Sequence, residues 1–256
     1  MLRLLKALLL ALAVCALSIF STSCGSGGSA QVRVFNAIPD NGANGSIALD
    51  LWFNDNLVIT ALGVNAITPA ATTPAKYLNI ASGNDTIVAY DTGTESNPIA
   101  SNGSEDGLSS STEYTLLLGG FTDSPPTLYI IPDDNTPPAA NFTKVRVIDA
   151  SAVEGANPLD VYLYQVGTVP PASPQIPTLT LGSVCSASPC SGGYYPLQFT
   201  SGQPAYDLEV VRHGGPILYV FSSIAFSAGE IVTVILDDEP GGFTINPSPK
   251  VMIDLN

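Results

Sequence analysis

Basic side chains are scarce in this sequence. Its 256 residues carry 8 Lys and Arg against 22 Asp and Glu, a formal net charge of −14. Phosphate backbones are bound by clustered cations, so this balance excludes nucleic acid as a partner class. Charge of either sign is thin, at 12% of residues. Histidine occurs once, as His213, so a zinc or iron centre would lack its commonest ligand. No G-x-S-x-G elbow accompanies that histidine, which leaves a serine triad without its nucleophile motif. What is abundant is apolar residues, 45%, together with 23 Gly and 21 Pro. That profile describes a folded chain of short strands joined by many turns.

The N-terminus reads as an export signal. Arg3 and Lys6 precede the fourteen uncharged residues Ala7–Phe20, a run too short to span a bilayer, which needs about 20. Thr22 and Ser23 then lead to Cys24 and a Gly-Ser tether, Gly25–Ser29. Small residues followed by this cysteine resemble the lipobox of bacterial lipoproteins. The resemblance implies cleavage before Cys24, acylation of its thiol, and a flexible spacer beyond it. Gly25 after the cysteine, where inner-membrane retention uses Asp, implies the outer membrane. An ordinary secretory peptide with another cut site is the rival reading.

Of four cysteines, Cys15 and Cys24 belong to the signal, leaving Cys185 and Cys190 in the fold. In an oxidising envelope a local disulfide is the leading assignment for that C-x4-C pair, closing a small loop. Free thiols or a redox role are the alternatives. The flanks are Gly, Ser and Pro, whereas a redox pair is usually C-x-x-C ahead of a helix.

The exported chain repeats itself. Val32-Arg-Val-Phe-Asn-Ala37 returns as Val145-Arg-Val-Ile-Asp-Ala150, 113 residues on. Asp50-Leu-Trp-Phe53 returns as Asp160-Val-Tyr-Leu163, Ser82-Gly83 as Ser201-Gly202, and Glu113-Tyr-Thr-Leu116 as Glu230-Ile-Val-Thr233. Four landmarks in one order indicate a duplication. The expected organisation is a signal over residues 1–23, a tether over 24–30, one domain over 31–132, a Pro-rich linker over 133–142 and a second domain over 143–256.

Alternation with period two recurs in both copies, and no window offers a convincing helix. Leu49, Leu51 and Phe53 alternate with Asp50 and Trp52; Leu159, Val161 and Leu163 alternate with Asp160, Tyr162 and Tyr164. Tyr206, Leu208 and Val210 face one way, Asp207 and Glu209 the other. In the last strand Val251, Ile253 and Leu255 are expected inward, against Lys250, Met252 and Asp254. Half-buried strands of this kind predict an all-β chain of antiparallel sheets packed face to face.

Together the V-R-V-x-[ND]-A opening, the D-[LV]-[WY] strand, the Gly turn and the E-Y-T or E-x-x-T strand resemble the domain of unknown function 4397, over about residues 30–256. The resemblance implies two tandem immunoglobulin-like or transthyretin-like β-sandwich domains, extracytoplasmic and often lipid-anchored. It brings no activity with it.

Candidate sites are few. His213 precedes Gly-Gly and reads as a turn residue. Glu105-Asp106, Asp133-Asp134 and Asp237-Asp238-Glu239 read as solvated loop ends, since adjacent acids on a strand diverge and do not form a glycosidase pair. Asp40, Asn41 and Asn44 put oxygen ligands on one turn, a weak Ca²⁺ candidate that departs from regular EF-hand spacing. Trp52 beside Asp50, and Tyr162 beside Asp160, form a candidate ligand face of outward aromatics flanked by carboxylates. Covering a cross-strand neighbour is the structural alternative. No cofactor is implied. The expected function is non-catalytic: a lipid-anchored envelope protein in a structural or recognition role, with an envelope protein or a glycan as partner. A glycan-binding module is the second reading, and a hydrolase with a loop-built site the third.

Overall fold

The structure is a computed structural model, and it describes residues 28–39, 48–70, 76–102, 107–121, 126–199, 205–238 and 249–255. Among these, every regular element is a β-strand. The first half contributes β1 (Ser29–Asn36), β2 (Leu49–Phe53), β3 (Asn56–Leu62), β4 (Ala66–Thr68), β5 (Leu78–Ala81), β6 (Ile87–Asp91), β7 (Ala100–Ser101), β8 (Glu113–Gly119) and β9 (Thr127–Asp133). The second contributes β10 (Phe142–Asp149), β11 (Leu159–Gln165), β12 (Ile176–Leu179), β13 (Tyr195–Gln198), β14 (Ala205–Arg212), β15 (Ile217–Ala225), β16 (Ile231–Leu236) and β17 (Lys250–Leu255).

These strands form four sheets, two per half, and no sheet is shared between halves. In the first half β4-β1-β8-β9, with β5 also on β1, faces β3-β2-β6-β7. In the second, β13-β10-β16-β17 faces β12-β11-β14-β15. The duplication is thus visible in the topology. Pairing is antiparallel throughout except at one place in each copy, where β1 runs parallel to β8 and β10 parallel to β16.

The stack is ordered by which face each residue presents. Leu49, Leu51, Ile87 and Ala89 meet Val32, Val34, Leu116 and Leu118 in the first core. Leu159, Val161, Leu208 and Val210 meet Val145, Val147, Val232 and Val234 in the second. Away from the strand ends, the other faces of β1, β8, β10 and β16 are closed off from solvent. Phe35, Leu117 and Ile131 pack there against Ile148, Ile235 and Met252, a third apolar layer between the halves. The inner sheets are therefore covered on both sides, which accounts for the nearly continuous apolar runs of their strands.

Local chemistry shapes the outer sheets. Asn54 and Asp55 both have positive φ, 48° and 62°, the requirement of a two-residue turn between twisted strands, and they join β2 to β3. The facing expected of the last strand is reversed. Met252 and Asp254 are buried, whereas Val251 and Ile253 are 43% and 46% exposed. The alternation is as read, but β17 lies against the other half, and what it buries there is a thioether and a carboxylate.

Candidate functional site

The most concentrated chemistry lies between the two inner sheets. Arg33 on β1 and Arg146 on β10 hold matching positions of the repeat and point into this layer, 4% and 0% exposed. Arg33 donates through Nε to Thr115 Oγ1 at 2.8 Å, and Arg146 through Nε to Thr233 Oγ1 at 3.1 Å. The carboxylates are shared across the halves. Arg33 Nη2 lies 3.1 Å from Asp133 Oδ2, while its Nη1 pairs with Asp254 of the other half. Arg146 Nη1 lies 2.6 Å from Asp133 Oδ1, again across the halves, and Nη2 lies 4.0 Å from Asp254 Oδ2. Thr115 Oγ1 donates to Asp133 at 2.9 Å and Thr233 Oγ1 to Asp254 at 2.6 Å. Tyr77 and Tyr194 cover the guanidiniums of Arg33 and Arg146, with centroids at 5.3 and 4.8 Å. Each residue of one copy thus has its counterpart in the other, an arrangement with pseudo-two-fold character.

Charge balance makes this layer tolerable. Two guanidiniums meet two carboxylates, with hydroxyls taking the remaining donors, and such pairing is the condition for burying ions. Burial would push the Asp133 carboxyl up, but Arg146 and then Arg33 overcome it and hold the group below the usual carboxylate range. Burial opposes the charge on Arg33 as well, and Asp254 and Asp133 outweigh it, raising its affinity for the proton. Expecting Asp133-Asp134 to be a solvated loop end is corrected here, because the Asp133 side chain is fully shielded. Only Asp134 is partly open, 2.7 Å from Lys144.

The outer faces hold the aromatic residues expected there. Trp52 is half-buried on β2, directly across from Leu57 on β3 and Val88 on β6. Its indole Nε1 is shielded and makes no hydrogen bond. Tyr162 is half-buried on β11, across from Glu209, which accepts from the Tyr164 hydroxyl at 3.2 Å. The flanking carboxylates do a different job from the one the alternation suggests. Asp50 Oδ1 accepts the Ala61 amide at 2.8 Å and the Thr92 hydroxyl at 3.2 Å, and Oδ2 accepts the Gly93 amide at 3.0 Å. The Gly93 amide above all holds its carboxyl below the usual range, against a smaller upward push from burial. Asp160 Oδ1 accepts the Thr178 amide at 2.9 Å, and Oδ2 lies 2.9 Å from His213 Nδ1. Ala61 and Thr178 share a φ of 52° at irregularities in β3 and β12. Each Asp therefore clamps a left-handed residue in the neighbouring edge strand. His213 sits on the turn after β14, as expected, with its amide donating to Pro158 O at 2.8 Å.

Cys185 and Cys190 are joined as a disulfide. Asp237 and Asp238 are buried rather than solvated, a second correction to the reading of acidic pairs. Cys24, the loop of Asp40, Asn41 and Asn44, the pair Glu105-Asp106, Ser201-Gly202 and Glu239 lie outside the described residues. Among the described residues no group of three or more His, Cys, Asp or Glu side chains is placed to hold a metal ion. The arginine layer is the feature that sequence reasoning missed. Its signal was present in the Val-Arg-Val repeat, where a charged residue recurs inside an apolar run in both copies.

Comparison with known proteins adds a family. The family model described as a domain of unknown function, DUF4397, matches residues 30–162, just over half of the chain. This chain belongs to the DUF4397 family. The match ends within β11, short of the 30–256 span suggested by the motifs, although the second half of this DUF4397 protein repeats the topology of the first. No curated protein matches it. Among solved structures, a product complex of SpuA, a multi-modular glycogen-degrading pneumococcal virulence factor, is 11% identical with a TM-score of 0.25. The alignment covers 85% of the DUF4397 chain but only 21% of that structure. Family 41 carbohydrate-binding modules from streptococcal virulence factors, solved for α-glucan recognition, are 14% identical over 88% of this chain and 97% of theirs, at a TM-score of 0.26. The fimbrial anchor protein Mfa2 from Porphyromonas gingivalis is 10% identical over 88% and 95%, at 0.21. At these scores the overlaps carry no argument about this protein.

Proposed function

We propose that this DUF4397 protein is a non-catalytic component of the bacterial cell envelope, held by lipid on Cys24 and serving a structural or recognition role. The observation that carries this reading is the buried arginine–aspartate layer. It joins the two halves through cross-paired charges, so the chemistry richest in charge is spent on holding the halves together. The outer sheets, turned away from that layer, are the surfaces left for contact with other molecules. A second reading, a glycan-binding module, is favoured by Trp52, whose half-buried indole has apolar Leu57 and Val88 on either side. Sugar rings stack on such a platform. Tyr162 supplies the matching aromatic in the second half.

One experiment on the full-length protein tests both. Cells grown with labelled palmitate should transfer label to the wild type and not to Cys24→Ser; label in both, or in neither, overturns the anchored reading. The wild type and Trp52→Ala, applied to a glycan array, separate the second reading from the first. Binding that Trp52→Ala loses supports glycan recognition, and two empty arrays reject it.

A further inference from the structure

The two copies differ in one side chain at the end of the first strand, within a turn whose backbone hydrogen bonds match. Asn36 at the end of β1 and Asp149 at the end of β10 are equivalent in the repeat. Asn36 Oδ1 accepts the Ile38 amide at 3.1 Å, and Asp149 Oδ1 accepts the Ser151 amide at 3.0 Å, the same two-residue turn. The alanine that follows each donates its amide to the neighbouring inner strand, Ala37 to Leu118 O and Ala150 to Leu236 O, both at 2.8 Å.

The remaining side-chain atom breaks the match. Asn36 Nδ2 donates to Leu62 O at 3.0 Å, whereas Asp149 Oδ2 is buried and has no hydrogen-bond partner. In strand register Leu62 pairs with Leu49, and Leu179 pairs with Leu159, so Leu179 carries the carbonyl that corresponds to Leu62 O. An ionised carboxylate offers only lone pairs, while a protonated one offers an O–H where the amide offers its N–H.

The surroundings of Asp149 are acidic. Burial pushes its carboxyl up to about 7 against the opposing Ser151 amide, and the charges of Asp238 and Glu154 add to the rise. Asp237, also buried, adjoins Asp238. Glu154 is itself paired with Arg212 on β14, at 2.7 and 2.9 Å. Asp238 in turn accepts the Ser151 hydroxyl at 2.5 Å and the Val153 amide at 3.1 Å, while its carbonyl accepts Asn65 Nδ2 of the other half at 3.0 Å.

We propose that Asp149 is protonated in the folded protein and stands in for the asparagine of the first copy, so that losing its proton loosens the turn where the second half meets the first. The sign follows from linkage. The folded form keeps a proton that the unfolded chain has released between about pH 4 and 7, so stability falls as pH rises through that window and then levels off.

Unfolding of the full-length protein at about pH 5 and pH 8.5, wild type beside Asp149→Asn, tests this. The wild-type unfolding constant should rise relative to that of Asp149→Asn by roughly tenfold or more between the two conditions. The variant should be the more stable at the higher pH. An equal difference at both pH values, or a variant weakened most at pH 8.5, overturns the proposal. The converse substitution, Asn36→Asp, should install the same dependence in the first copy, and an unchanged profile there counts against it. If a variant fails to fold, carboxyl titration of Asp149 in the wild type by carbon-detected NMR decides. A midpoint above about 6 supports the assignment, and one in the ordinary carboxylate range near 4 overturns it.

Discussion

At the scale of single residues, the informative side chains are polar ones enclosed among apolar ones. Arg146 is wholly enclosed and serves Asp133, Asp254, Thr115 and Thr233 at once. Replacing it by alanine leaves two carboxylates enclosed with one guanidinium between them. We expect Arg146→Ala to lose about 3–5 kcal/mol, the usual cost of stranding a buried charge, as measured by denaturant titration. The pH response of this layer opposes that of Asp149. The Asp133 carboxyl is held low, so its contribution is present above the unfolded value near 3.8 and is lost as pH falls through the folded one. Reading the sequence could not place these groups. Alternation gives the two faces of a strand but not which of them meets water, and in β1 and β10 neither does. Asp50 shows the same limit on the outer sheet, where it was legible as an outward residue. Its use as a clamp on Ala61 depends on a neighbouring strand whose path the pattern does not encode.

At the scale of elements, the legible strands were those with one wet face. β2 and β11 are as the period-two pattern describes, and the strand order repeats from one copy to the other. β17 was found as a strand with its faces exchanged, because its partner surface belongs to the distant half of the chain. Close approach between halves also constrains backbone. Gly182 has φ of +75°, and a Cβ built there would lie 2.1 Å from the ring of Tyr129 on β9. Gly182→Ala should therefore cost about 2–4 kcal/mol, combining left-handed strain with overpacking, seen as a lowered denaturation midpoint. A Tyr129→Ala background should recover part of that loss, since it removes the clash but not the strain.

At the scale of the whole molecule, the segment between β9 and β10 makes side-chain contacts along its length. Asn135 Nδ2 donates to the Tyr77 hydroxyl at 2.9 Å, and Lys144 Nζ to Thr136 Oγ1 at 2.8 Å. With a full apolar layer and the arginine cluster between the halves, cutting this segment should not release them. A protease nick between residues 134 and 141 should give two fragments on a denaturing gel but a single peak in native size exclusion. Separation in native buffer would show that the interface is weaker than its burial implies.

The parallel pairing of β1 with β8 has a mechanical consequence. The rungs run from Gln31 opposite Glu113 to Asn36 opposite Leu118, and β4 and β5 hold the opposite edge of β1. If the chain hangs by its first residues, tension travels along β1 and strains these rungs together instead of peeling them in succession. A strand gripped on both edges and loaded in shear is the attachment best suited to bearing a pull.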